Sequence, residues 1–357
     1  MPRNLTFRAG PSAVKLIEKE GLRPDHIEII AGAAGGPKWL VLSQLDRALF
    51  TSWLQPRKRP LFLLGSSIGA FRFAAVSQND PLTAIQKFEE AYIAQRYSSS
   101  KPSPEEVSRV ALEVLGSFID SGSAQSVLSH PYFRLNIVAA RCKHLLKSEK
   151  RLPLSAGFAG AITANLFHQS FLGAFFERTL FCDRRDEAPF VSAKNYPCKT
   201  IPLRPESLKK ALQASGSIPF IMSHVDDIPG AEGKAFLDGA LLDYHMDVPF
   251  MEQTDRIVLL PHFSEHRVPG WLDKYVPWRR AKKGNLHNLL LICPSREFIE
   301  NLPLKKIPDR SDFHRFMGRD QERVAYWHKV IQECRKLSDE LLEVLHSGNL
   351  AKVVEPF

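Results

Sequence analysis

Apolar residues fall along this chain in two rhythms. Short unbroken runs occur at "IEIIAG" (27–32), "LFLLG" (61–65), "LNIVAAR" (135–141), "TLFC" (179–182), "RIVLLP" (256–261) and "LLLIC" (289–293). They are β-branched or leucine-rich, which reads as strands buried on both faces, since a half-exposed strand alternates apolar with polar. Between the runs, apolar positions recur every three or four residues, the period of a helix with one buried face. Strands alternating with helices predict an α/β fold whose sheet is largely parallel and covered on both faces.

Several helix ends are written in the chain. "SPEEVSRVALEVLGSFI" opens with Ser103 as N-cap and Pro104 at the first helical position, and Glu105 and Glu106 meet the positive end of the helix dipole. "RPESLKKALQASG" repeats the pattern with Pro205 and stops at Gly216. From Arg319 to Leu345, the spacing of Val324, Trp327, Ile331, Cys334, Leu341 and Leu345 predicts one long amphipathic helix, ended by Gly348. The stretch between Arg151 and Glu177 carries no charged residue and is long enough to span a bilayer. Its Pro153, three glycines, Asn165, His168 and Gln169 argue against a span and for a buried helix. A surface element that dips its phenylalanines into a lipid interface is the other reading.

Composition narrows the class. The chain has 357 residues, 44% hydrophobic and 24% charged, the balance of a soluble globular protein with a sizeable core. Its net charge of +9 predicts affinity for an anionic partner. The basic residues form only small clusters, at 56–60, 278–283 and 304–310, so no nucleic acid is expected and an acidic substrate or anionic membrane is favoured. Five cysteines form no C-x-x-C pair, which fits a reducing compartment, and the N-terminus lacks a signal-peptide apolar core; a cytoplasmic protein is expected.

Three short stretches carry candidate chemistry. "GSSIG" (65–69) matches G-x-S-x-G with Ser67 at its centre, after a strand and before a helix-forming "AFRFAAV". A serine lifted clear of a sheet sits on a strained turn, and only glycine fits at Gly65 and Gly69 if strand and helix pack closely there. An ordinary tight turn gives the same letters. Upstream, "AGAAGGPKW" follows another strand, and the backbone N–H groups of Gly35, Gly36 or Lys38 are candidate donors to a developing oxyanion. Pro37 has no N–H and cannot be one. The loop lacks the G-x-x-x-x-G-K-[ST] spacing of a nucleotide site. Downstream, Asp238 followed by Gly239 is either a plain turn or a carboxylate presented to a serine as its base. His224, His245, His262, His266 and His287 are available to a Ser-His-Asp arrangement instead.

Taken together, and in this order, "GGPK" (35–38), "GSSIG" (65–69) and "DGA" (238–240) resemble the patatin-like phospholipase family. "ALQASGSIPFIM" (211–222) is similar to the helix-plus-proline block before that family's aspartate box. The resemblance runs from about Ile27 to Leu260. It implies a three-layer α/β/α fold around a largely parallel central sheet, and a lipid acyl hydrolase with a Ser67–Asp238 dyad, an acyl-serine intermediate, an oxyanion loop at Gly35 and Gly36 tuned by Lys38, and no cofactor. The implied substrate is a lipid or other acyl ester, with peripheral association to an anionic membrane. Trp39, Ala33, Ala34 and Ala240 depart from the family pattern, and a silent lipid-binding protein of the same fold is a further reading. On this view residues 1–268 form the catalytic domain, with a helical insertion at about 82–130, and 269–357 are a C-terminal extension packed on the core.

The remaining motifs carry less. "HFSEH" (262–266) matches a zinc-protease spacing, but flanking prolines deny it the helix that zinc needs, so no metal is expected. Asp226, Asp227 and Asp243 read as turn residues, and Ser66 and Ser215 as structural ones.

Overall fold

Continuous apolar strands need cover on both faces, and the chain supplies it. The computed structural model describes residues 3–190, 197–250, 255–276 and 278–357. Its strands are β1 (Leu5–Ala9), β2 (Ile27–Gly32), β3 (Leu61–Ser66), β4 (Phe133–Cys142), β5 (Phe176–Cys182), β6 (Cys198–Pro202), β7 (Phe236–Asp238), β8 (Ile257–Pro261), β9 (Leu289–Pro294) and β10 (Glu355–Pro356). They form one sheet in the order β10-β1-β9-β8-β2-β3-β4-β5-β6, with β7 joined to β4. The central β9-β8-β2-β3-β4 run is parallel throughout; the antiparallel pairings are β1–β9, β4–β5 and β4–β7. The protein is thus α/β, with a large, mostly parallel central sheet flanked by helices.

Successive strand residues divide between two cores. Ile30, Leu61, Leu63, Leu135 and Ile137 face a large core built with the helices Ile68–Val76 and Pro205–Gly216. Ile29, Ala31, Phe62, Leu64 and Val138 face the other, which Met246, Val248, Phe250 and Phe190 close from irregular chain. Both faces of these central strands are therefore dry. That is why the sequence shows runs rather than alternation.

Residues 81–129 fold as three helices, Pro81–Ile93, Pro104–Phe118 and Ser121–Ser129, between β3 and β4. The Ser103 hydroxyl accepts from the Glu106 N–H at 3.2 Å, capping the second of them. The C-terminal stretch is woven into the fold: β9 lies inside the sheet between β1 and β8. Two expectations change. The tail is two helices, Asp320–Glu333 and Arg335–His346, broken at Cys334, which is buried and has ψ of −7°. The bend lets Trp327 and Val330 on one piece and Leu337 and Leu341 on the other reach the same core.

The uncharged stretch also differs from a buried helix. Helix Arg151–Phe167 buries Leu154, Phe158 and Ala161 but turns Leu152, Ile162, Leu166 and Phe167 outward, with Leu152 at 83% and Phe167 at 79% exposure. No helix among the described residues is long and apolar enough to cross a membrane.

Candidate active site

The register of three strands brings the candidate residues together. β3 runs along one edge of β4 and ends at Ser66, opposite Val138. β7 runs toward it along the same edge and ends at Asp238, opposite the next residue, Ala139. Two strand ends therefore meet head to head, and Ser67, the residue after β3, faces Asp238, the last residue of β7. The Ser67 hydroxyl donates to Oδ2 of Asp238 at 2.8 Å, and both residues are buried.

Ser67 holds a backbone conformation of φ 54° and ψ −128° between β3 and the helix Ile68–Val76. A serine there is strained, at a cost of about 1–3 kcal/mol. The flanking glycines are required by closeness. A Cβ on Gly65 would stand 2.5 Å from the Ala70 backbone, and one on Gly69 would overlap the Gly32 carbonyl. The turn is pinned from behind: the Ser67 N–H donates to the Ser215 hydroxyl at 2.8 Å, which donates to the Val138 carbonyl at 2.6 Å. Ser215 is thus a positioning residue for the turn. Ser66 is fully buried, and its hydroxyl has no hydrogen-bond partner among the described residues.

Asp238 is shaped as a proton acceptor. Burial pushes its carboxyl up from the ordinary 3.8 to about 6, against the opposing pull of the Ala240 N–H and the Ser67 hydroxyl. The Ala240 N–H donates to Oδ1 at 2.8 Å, leaving Oδ2 to the serine. Gly239 has no room for a side chain, because a Cβ would strike the Val138 carbonyl. At Ala240, by contrast, a methyl group is accommodated, and it faces the cavity.

The glycine loop follows β2, which pairs with β3 so that Gly32 lies beside Gly65. The Ala34 N–H is spent on the Tyr244 carbonyl at 2.9 Å, leaving Gly35, Gly36 and Lys38 as the loop's candidate donors. Gly35 lines the cavity and packs on the Phe263 ring, 2.6 Å from where its Cβ would be. Gly36 takes φ 56°, and a Cβ there would stand 3.0 Å from Nε of Arg310. Lys38 places its ammonium 4.7 Å from the same Phe263 ring, and burial lowers its pKa. Trp39 leaves the site altogether, stacking on Phe88 at 4.3 Å in the core.

These residues open onto a cavity of about 310 Å³. Ile218, Pro219, Leu241 and Trp271 give it an apolar wall, while Lys274, Asp309, Arg310 and Ser311 rim it. Ile218 and Pro219 follow the helix Pro205–Gly216. The phenylalanines of 158–176 do not line this cavity; Phe158 packs against Phe220, 5.0 Å away, outside it. Lys274, Arg310 and Trp271 come from the C-terminal stretch; Arg310 ends the basic cluster 304–310, while no motif marks Lys274 or Trp271 in the sequence.

The other candidates lie elsewhere. No histidine hydrogen-bonds Ser67 among the described residues. His245 and His262 are buried, and burial holds both well below the usual histidine range, His262 at about 3. His262 follows β8 in coil, bonded to the Ser264 carbonyl, and no group of three His, Cys, Asp or Glu among the described residues suits a metal. Asp243 is more than a turn residue: it forms a buried two-pronged pair with Arg178, at 2.6 and 2.7 Å, that ties β5 to the segment after Asp238. Asp226 does cap a turn, accepting from the Ala235 N–H.

No family model and no curated protein matches the chain. Among solved structures, VipD from Legionella pneumophila matches at 11% identity and a TM-score of 0.33, over 77% of this chain and 56% of that one. Human GIVD cytosolic phospholipase A2 matches at 9% identity and a TM-score of 0.41, over 95% of this chain and 63% of that one. The chain thus spans less than two thirds of either matched protein.

Proposed function

We propose that this protein is a serine acyl hydrolase acting on lipid esters, with Ser67 as nucleophile and Asp238 as base. The observation that carries this reading is the 2.8 Å contact between a hydroxyl on a strained turn and a carboxylate with a raised pKa, on the wall of a cavity. As Ser67 Oγ forms its bond to the ester carbonyl carbon, its proton passes to Oδ2 of Asp238. The carbonyl oxygen takes up the charge, stabilised by the N–H groups of Gly35 and Gly36 and by the positive end of the helix Ile68–Val76. Collapse of the adduct expels the alcohol, which takes the proton, and leaves an acyl-serine. Asp238 then draws a proton from water as its oxygen bonds to the acyl carbon; the bond to Ser67 Oγ breaks, Oγ takes the proton back from Asp238, and the carboxylic acid leaves.

A fluorophosphonate probe tests the nucleophile. Label on Ser67, lost in Ser67→Ala, is the expected result; an unlabelled Ser67 in a protein that still hydrolyses p-nitrophenyl esters would overturn the assignment.

Access to a lipid substrate is assigned to the uncharged helix. Its outward row of Leu152, Ile162, Leu166 and Phe167 continues into Phe171, and the exposed Lys147, Lys150 and Arg151 lie at its start. Asn165 donates to Asp273 at 2.8 Å, tying this helix to the turn Trp271–Tyr275 at the cavity rim. Apolar side chains beside cations suit an anionic lipid interface. Phe167→Ser/Phe171→Ser should lower binding to phosphatidylglycerol vesicles about tenfold or more, as read by co-sedimentation. Unchanged sedimentation would remove the helix from this role.

A further inference from the structure

Buried and half-buried cations in this protein generally have carboxylate partners: Arg72 has Asp46, Arg178 has Asp243, Arg279 has Asp273 and Lys306 has Asp312. Three more cations line the cavity beside Ser67: Lys38, which is half-buried, and Lys274 and Arg310, which are exposed; none of the three lies within ion-pair distance of a carboxylate among the described residues. Asp309, the nearest acid on the rim, is held by Lys306 at 3.0 Å and by the Ser311 N–H at 2.8 Å. Asp238 is committed to Ser67.

The three cations repel one another. Lys274 is brought down to about 8, first by burial and then by Lys38 and Arg310. Three cations against two carboxylates, Asp238 and Asp309, leave the lining net positive, and an anion in the cavity would complete the group.

The aromatic groups are also informative. Tyr244 and Trp271 line the cavity and would suit a quaternary ammonium, but Lys274 already sits over them, 4.0 Å and 5.8 Å from their ring centroids. A choline-type cation would find its ring faces occupied and three positive charges around it.

Resting on the hydrolase reading, we infer that the substrate is an ester bearing a net-anionic group, such as a phosphate monoester, which Arg310 and Lys274 bind together with Lys38, and that zwitterionic and neutral esters are discriminated against. Arg310 and Lys274 come from the C-terminal stretch, outside the span of the three motifs, so selectivity draws on a part of the chain that the chemistry does not use.

The experiment compares three esters with the same acyl chain: 1-oleoyl-lysophosphatidic acid, 1-oleoyl-lysophosphatidylcholine and 1-oleoylglycerol. Wild type should favour the phosphate monoester by about 10- to 100-fold in kcat/KM, and Arg310→Gln/Lys274→Gln should bring the ratio close to one, with Arg310→Lys keeping part of it. Equal rates on all three esters, or an unchanged ratio in the double variant, would overturn the inference. Inorganic phosphate separates the two sources of the anion. Competitive inhibition of lysophosphatidic acid hydrolysis supports a substrate headgroup, whereas stimulation of 1-oleoylglycerol hydrolysis would show a free-anion site and overturn the substrate assignment.

Binding of the same esters to Ser67→Ala, read by intrinsic tryptophan fluorescence, keeps this inference separate from the hydrolase reading. Preferential binding of the phosphate ester by a protein whose wild type turns over none of the three would refute the hydrolase and retain the anion site. Binding without preference would refute the anion site itself.

Discussion

Asp238→Asn should cost about 10²- to 10⁴-fold in kcat/KM, the usual contribution of a general base, and should at the same time make the protein more stable at pH 7. The stability gain follows from linkage. The carboxyl is raised by burial from 3.8 to about 6, so between these values the folded state holds a proton that the unfolded chain has released. Wild-type stability therefore falls as pH rises through that window, and above it the buried charge costs roughly 3 kcal/mol. An amide avoids the charge and keeps both contacts: its oxygen accepts from the Ala240 N–H, and its nitrogen faces the Ser67 hydroxyl. Melting curves should place the variant a few degrees above wild type at pH 7 and level with it near pH 4. A variant less stable than wild type at pH 7 would contradict the raised pKa. In wild type, kcat/KM should rise through about pH 6 as Asp238 ionises.

The second large effect lies behind the site. Arg72, on the helix after Ser67, and Asp46, on the helix after the glycine loop, form a two-pronged pair at 2.6 and 2.7 Å with both side chains almost fully buried. Asp46→Ala leaves the guanidinium charged in the core and should cost about 3–5 kcal/mol in urea unfolding. Asp46→Leu/Arg72→Met removes both charges and should recover most of that loss. A cost below about 1 kcal/mol for Asp46→Ala would mean that water reaches Arg72. The pair links the two helices that carry the serine turn and the glycine loop, so even the stable double variant should lose kcat more than it raises KM.

The central strands were legible because burial on both faces leaves an uninterrupted apolar signature. β1 is not legible although Leu5, Phe7 and Ala9 alternate with half-buried Thr6 and Arg8, since five residues give a weak pattern. β7 is three residues long and exists only through its pairing with β4. The break at Cys334 has no glycine or proline to announce it. The outward face of the helix Arg151–Phe167 carries the same apolar letters as its buried face, so sequence could not tell one from the other.

By itself the sequence determined the alternation of dry strands with helices and the tight turn at Gly65–Gly69, because local sterics and burial act on neighbouring residues. It also determined an Asp-Gly pair, without saying what the aspartate faces. Tertiary structure alone decided that β3 and β7 meet head to head on β4, which brings Ser67 and Asp238 within hydrogen-bonding distance across 171 positions of chain. It alone brought Lys274 and Arg310 to the cavity beside Lys38. Electrostatic complementarity depends on distances through space, and no spacing along the chain records those.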